Sequence, residues 1–238
     1  MSYLRKRHYQ LLSVALGATI VAASAPLLAG ASTKESATSV ITAAKASMLK
    51  KVSVHVVVIS KAGSNLSKVV VDIGSQSGQE IITSGAKVVA ITITPKYAYL
   101  SGSATGLTGI MGLTSVQQKK IGSMAMAMKA GTPQYKSLTA NLTTPVFASM
   151  LPAVKGTVLT KTGSARTKQY VLSWSSPASS TSTKTATVMS LSSGARTLPV
   201  TEKITSASGS GITTYSKWGE KVTPKVPTAT ISYASVFG

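Results

Sequence analysis

Few side chains in this sequence are equipped for covalent chemistry. Its five acids are Glu35, Asp72, Glu80, Glu202 and Glu220, with no carboxylate between Glu80 and Glu202, so paired-carboxylate chemistry has few candidates. His55 is the one histidine beyond the N-terminal stretch, and it sits in an apolar run that reads as a strand. A packed or edge histidine is the ordinary reading of that position. A Ser-His-Asp arrangement would need Asp72 or another acid to converge on His55, and no sequence pattern says that one does. The absence of cysteine excludes a thiolate nucleophile, a disulfide framework, an iron–sulfur cluster and a cysteine-rich zinc site. With so few histidines and acids, no metal site and no cofactor are expected. The glycine-rich segments Gly74–Gly78 and Ser208–Gly211 lack the lysine and strand-to-helix context of a phosphate loop and read as hairpin turns. The expectation is therefore a non-catalytic protein with no catalytic residues.

What remains is binding. The chain of 238 residues carries 25 Lys+Arg against 5 Asp+Glu, a formal charge of +20. The lysines are scattered, and two Phe and two Trp are too few to stack on bases, so nucleic acid is not the expected partner. Anionic lipid head groups or anionic wall polymers are, through attractions that weaken with salt. The methionines have two readings, as core filling or as the deformable lining of a cavity.

The compartment is read from the N-terminus. Arg5, Lys6, Arg7 and His8 precede an apolar run from Leu11 to Leu28, and Ala29-Gly30-Ala31 has signal-peptidase spacing before Ser32. Residues 1–31 read as an export signal cleaved between Ala31 and Ser32, with Ala29 and Ala31 as the small residues of the site, and with an uncleaved anchor as the alternative because the run approaches bilayer length. Without them the charge is +17, from 22 basic and 5 acidic side chains. The 36 Ser and 30 Thr suit strand surfaces and turns in a protein outside the cytoplasm, whether secreted or in the cell envelope.

The elements that must position any site follow from periodicity. Ser32 and Glu35 have capping-box spacing, and Val40, Ile41, Ala44, Met48 and Val52 recur at helical intervals, predicting one helix over 33–51. Strands are expected over 52–60, 66–73, 79–83 and 86–94 and from Tyr97 to Ser101-Gly102, the first pair joined by an Ala62-Gly63-Ser64-Asn65 turn. In the middle, Leu113 to Ile121 suggests a short helix. Met124, Met126 and Met128 alternate with alanine as a strand does, and Thr144-Pro145 opens a helix running to Leu151. Strands return over 157–162, 168–174, 185–191, 198–204 and 212–218, with 175–183 as a loop.

Taken in order, several of these stretches resemble the actinobacterial LppX/LprG-type envelope lipoproteins. They are Ser53–Val58 after the first helix, Val69–Gly74 leading to Ile81–Thr83, Val88–Gly102, Leu142–Phe147 with Leu151-Pro152, Leu198–Val200, and Tyr215–Val222 before a proline-containing tail. The resemblance implies an α+β fold over 32–238 as a single LolA/LppX-like domain. In that fold a strongly curved antiparallel β-sheet forms a half-barrel with helices packed on its concave face. It also implies a carrier that holds acyl chains or whole lipids between sheet and helices. Ala31 stands where the family's acylated lipobox Cys would be, so lipid anchoring is lost. Strand alternation nominates the cavity-facing side chains: Val56, Val58, Val69, Val71, Ile73, Val89, Ile91, Ile93, Met124, Met126, Met128, Met189, Leu191, Leu198 and Val200. The protein is expected to be a monomer that carries a lipid or other amphiphile in the cell envelope, the alternative being a wall or surface module gripping anionic polymer through its basic face.

Overall fold

The computed structural model describes residues 35–140, 142, 151, 156–162, 169–176, 183–193 and 196–238. The export signal with its cleavage residues, the helix expected from Thr144 and most of the 175–183 loop lie outside them.

The first helix, α1, spans Ala37–Leu49. Ser36, in extended conformation, accepts the Ser39 backbone N–H, and the Ser39 hydroxyl caps in return. The capping box therefore sits further along the chain than Ser32 and Glu35 predict. Glu35 serves elsewhere: it takes the Tyr170 hydroxyl at 2.6 Å and the Lys161 ammonium at 2.5 Å. Val40, Ile41, Ala44 and Met48 form the buried stripe of α1.

Five strands follow as a meander: β1 Val54–Ala62, β2 Asn65–Ile73, β3 Gly78–Ser84, β4 Lys87–Ile93 and β5 Tyr97–Gly102. Their tight turns pass through Gly63 (φ 59°) and Gly85 (φ 57°), in the left-handed region that favours glycine. Three short helices interrupt the strands: α2 Ala104–Gly109, α3 Ser115–Ile121 and, after β6 (Ala125–Lys129), α4 Pro133–Thr139. A second run comprises β7 Val158–Thr162, β8 Gln169–Ser176, β9 Thr185–Ser192, β10 Pro199–Ser206 and β11 Gly209–Ser216. The chain ends in β12 Thr230–Ser232 and α5 Tyr233–Phe237.

Among the described residues, all twelve strands join one sheet in the order β12-β6-β5-β4-β3-β2-β1-β11-β10-β9-β8-β7. It is open, with β12 and β7 at its edges, and antiparallel everywhere except the β12–β6 pair. The fold class is thus α+β, a curved and mostly antiparallel sheet with few helices. The pairing of β1 with β11 sews the two meanders into a continuous surface. To reach β6 from β11 the tail must cross the sheet, and it is tied down on the way. Gly219 donates its N–H to Ser53 O, and the Ser77 hydroxyl bonds Val222 O.

Directly opposed residues in adjacent strands point to the same side, so the register defines each face. One inner row runs Leu159, Leu172, Met189, Glu202, Thr213, Val58, Val69, Ile82 and Val89 across nine strands. The next runs Tyr215, Val56, Val71, Glu80, Ile91, Leu100 and Met126. Most of these side chains belong to the same buried cluster as the stripe of α1 and residues of α2 and α3. At about 1.5–3 kcal/mol for each fully buried aliphatic side chain, this layer dominates stability.

Candidate functional site: the inner face of the sheet

The inner wall is built mainly of β-branched residues and methionines. Of the side chains nominated from alternation, Val56, Val69, Val71, Ile73, Val89, Ile91, Ile93, Met126, Met128, Met189 and Leu191 are buried in the cluster shared with α1, while Val58 and Leu198 are half-buried against it. Met124 and Val200 are half-buried and lie outside that cluster. Met124 precedes β6 and closes a turn by donating its N–H to Ile121 O. At Val200 the register between β9 and β10 shifts between Pro199 and Thr201, so simple alternation breaks and Glu202 takes the inward place opposite Met189. Five of the chain's eight methionines, Met48, Met111, Met126, Met128 and Met189, are buried in this one layer between sheet and helices.

Two carboxyl groups stand in the same wall. Glu80, opposite Val71 and Ile91, is 1% exposed, and Glu202 is 6% exposed. The Tyr215 hydroxyl donates to Glu202 Oε2 at 2.8 Å. Burial pushes the Glu80 carboxyl up to about 7. Burial likewise pushes Glu202 up to about 7, against the lowering effect of the Tyr215 bond, and Tyr215 itself is held well above the phenol range by burial and by the neighbouring carboxylate. Both acids therefore gain and lose protons near neutrality. In their protonated form they can donate a hydrogen bond into an apolar layer. The sequence names these acids without placing them, because Glu80 is followed by Ile81 and Ile82, apolar on both faces, and because the irregularity between Pro199 and Thr201 resets the alternation ahead of Glu202.

A second, polar constellation lies on the outer side at the strand ends. His55 Nδ1 and Asp72 Oδ1 are 2.6 Å apart, on directly opposed positions of β1 and β2. With Ser53, Gln79, Lys217, Glu220, Lys221 and residues 222–224 of the crossing tail they border a cavity of about 210 Å³. Lys217 adopts a left-handed φ of 51° as the chain leaves β11. The Ser53 hydroxyl donates to Glu220 O, and among the described residues no hydroxyl bonds to His55. The acid and base that the sequence left apart do meet, as a cross-strand pair. Its signal was present: His55 and Asp72 lie seven residues outward from Ala62 and Asn65, the pair that flanks the Gly63-Ser64 turn.

This arrangement defines the class of molecule first: an open α+β sheet whose inner wall is apolar, helix-covered and marked by two acids. No protein-family model matches the chain, and no curated protein matches it. Among solved structures it is similar to the lipoprotein LppX of Mycobacterium tuberculosis, with a TM-score of 0.48 and 14% identity over 79% of this chain and 97% of that one. It is also similar to LprF from Mycobacterium bovis, with a TM-score of 0.46 and 12% identity over 79% of this chain and 96% of that one. Among the described residues no helix is long and apolar enough to cross a membrane, and no group of His, Asp and Glu is arranged to hold a metal.

Proposed function

We propose that the chain is an exported, non-catalytic carrier that holds a lipid or other amphiphile between its sheet and helices. The observation that carries this reading is the concentration of methionine in that layer, five of eight. Unbranched thioethers adjust to irregular apolar shapes at little cost, and so suit a wall that parts for a chain and closes again. The nominated side chains from Val56 to Ile93 and from Met126 to Leu198 are the wall of the proposed site. A chain of ~16 carbons entering it would gain up to about 0.8 kcal/mol per buried methylene. Glu80 and the Glu202–Tyr215 pair are the polar groups that would orient ester or hydroxyl groups, as a few convergent polar atoms do in apolar pockets.

The export segment at 1–31 and the Ala31 in the lipobox frame support release outside the cytoplasm without a lipid anchor.

The test is titration with a fluorescent fatty acid. We expect saturable binding that envelope lipid extract competes away, weakened about tenfold in Met126→Trp and Leu191→Trp variants that still unfold cooperatively. A wild-type protein that shows no saturable binding would refute the carrier.

A wall-polymer module is the second reading, favoured by the distribution of acids. Glu80 and Glu202 are buried, Asp72 is paired with His55 and Glu35 with Lys161, so the surface charge is strongly cationic. Sedimentation with purified cell wall, lost at high salt, together with an absence of lipid binding, would favour it.

A further inference from the structure

One residue out of phase with the inner row that holds Glu202, the outer face carries its counterpart. Val158, Ser173, Val188, Lys203, Ile212, Ile59, Lys68, Thr83 and Val88 oppose one another in sequence across nine strands. Ile212 and Ile59, neighbours near the middle of the sheet, are 50% and 46% exposed, and Val158, Val188 and Val88 extend the row as exposed aliphatics. Leu66, 59% exposed, sits beside it, opposite Lys61. Five of the large exposed apolar side chains thus form one line where scattered positions are the ordinary case.

The charge on this surface has one sign. Lys68 flanks Ile59 and Lys203 flanks Ile212, with Lys61 one step further along β1. Glu80 and Glu202 point to the inner face, while Asp72 lies with His55 at the opposite strand end. Among the described residues no carboxylate stands in this row.

We infer that this outer face docks on an anionic lipid bilayer, with Ile59, Ile212 and their neighbours entering the head-group boundary and Lys68 and Lys203 drawn to lipid phosphates. β-branched side chains flanked by ammonium groups match that boundary, where apolar burial and attraction to anionic lipid act together. A second copy of the chain is a poorer occupant. A two-fold interface would lay the lysines of one row against those of its twin. The inference goes beyond the carrier reading and does not depend on it, since the face is on the opposite side of the sheet from the proposed cargo.

The experiment is cosedimentation of the mature protein, taken from an exporting host, with vesicles of phosphatidylcholine, with and without phosphatidylglycerol, at low and high salt. Binding is expected only with the anionic lipid. It should fall about tenfold in an Ile59→Ser/Ile212→Ser variant and about tenfold in Lys68→Glu/Lys203→Glu. An equal charge change on the helix-bearing side, Lys119→Glu/Lys136→Glu, should lower it less than about threefold. All six positions are exposed or edge the surface, and unchanged thermal unfolding verifies each fold. Absence of wild-type binding overturns the inference. So does equal loss in the two charge variants, which means net charge alone, or full binding by the serine variant, which means an electrostatic contact of the kind a polymer would make. Concentration-dependent dimerisation abolished by the serine variant would assign the face to a second copy.

Discussion

Adjacent residues on the same strands lead to opposite surfaces of this molecule. Glu202 faces inward between Met189 and Thr213, and Lys203, the next residue, faces outward between Val188 and Ile212. The inner row is covered by helices and keeps its acid buried; the outer row is open and keeps its base in water. A strand's period of two is enough to separate a packed wall from an exposed one, and each face gathers the charge its surroundings tolerate. Burial shifts the inner acids toward neutrality, whereas the outer lysines stand exposed to water.

The sharpest way to break this comparison is to truncate the same residue type on each side. Ile91→Ala removes a fully buried side chain from the inner row and is expected to cost about 3–4 kcal/mol in denaturant unfolding. Ile59→Ala on the outer face should cost less than about 0.5 kcal/mol. Similar losses at both positions would mean that the outer face is covered and the contrast is false.

Next in size is the pH dependence of the inner acids. Each has a folded value near 7 against an ordinary 4.5, so the folded state holds protons that the unfolded state has released. Stability is then greatest below about pH 4.5 on this account. It falls as the pH rises toward 7, by at most about 3 kcal/mol per group, and levels off above. Glu80→Gln or Glu202→Gln should each flatten part of that slope in thermal melts from pH 4.5 to 7.5. A slope that survives both substitutions would assign it to other groups.

A smaller effect is expected where α2 meets the sheet. Gly106 lies so close to the Val88 backbone that a Cβ would collide with Val88 O. Gly106→Ala should therefore destabilise by about 2 kcal/mol, although alanine is the better helix former. A stabilised variant would show that this helix can shift away from β4. Smallest is His55→Ala. The His55–Asp72 pair is partly exposed, its side chains 22% and 39% accessible, so its loss should cost under about 1 kcal/mol and leave lipid retention unchanged. Lost lipid retention in that variant would move the binding site to the polar cavity at the strand ends.

Much of the sheet was legible because tight turns set register. From the Gly63-Ser64 turn the pairing of β1 with β2 follows by counting, whereas β3 and β4 turn at Gly85-Ala86, one residue beyond the expected gap at Ser84-Gly85, so that Ser84 faces Lys87. Expected strand ends lie within two residues of the observed ones except at β11, which begins three residues earlier than expected. Among the short helices, α3 was legible from the Leu113–Ile121 pattern, whereas α2 was not, for the opposite reason. In α2 the sequence Ala-Thr-Gly-Leu-Thr-Gly is a poor helix former, with about 1 kcal/mol against each glycine. It is helical because Ser103 caps it, through a bond to the Gly106 N–H, and because Gly106 permits contact with β4. The parallel β12–β6 pair depends on a tail that crosses the sheet, a long-range closure without local pattern. Within the candidate wall, the burial of the nominated aliphatic positions followed from alternation except at Val200. Glu202 did not, since the irregularity at Pro199/Thr201 resets the phase ahead of it.

The measurement that bears most directly on the inner face as a carrier site is native mass spectrometry of the mature protein from an exporting host, with organic extraction of whatever accompanies it. The account predicts one amphiphile per chain, released on unfolding and diminished in Met126→Trp. Protein that is reproducibly empty, and stays empty after incubation with envelope lipid extract, would contradict it and leave the inner face as a core.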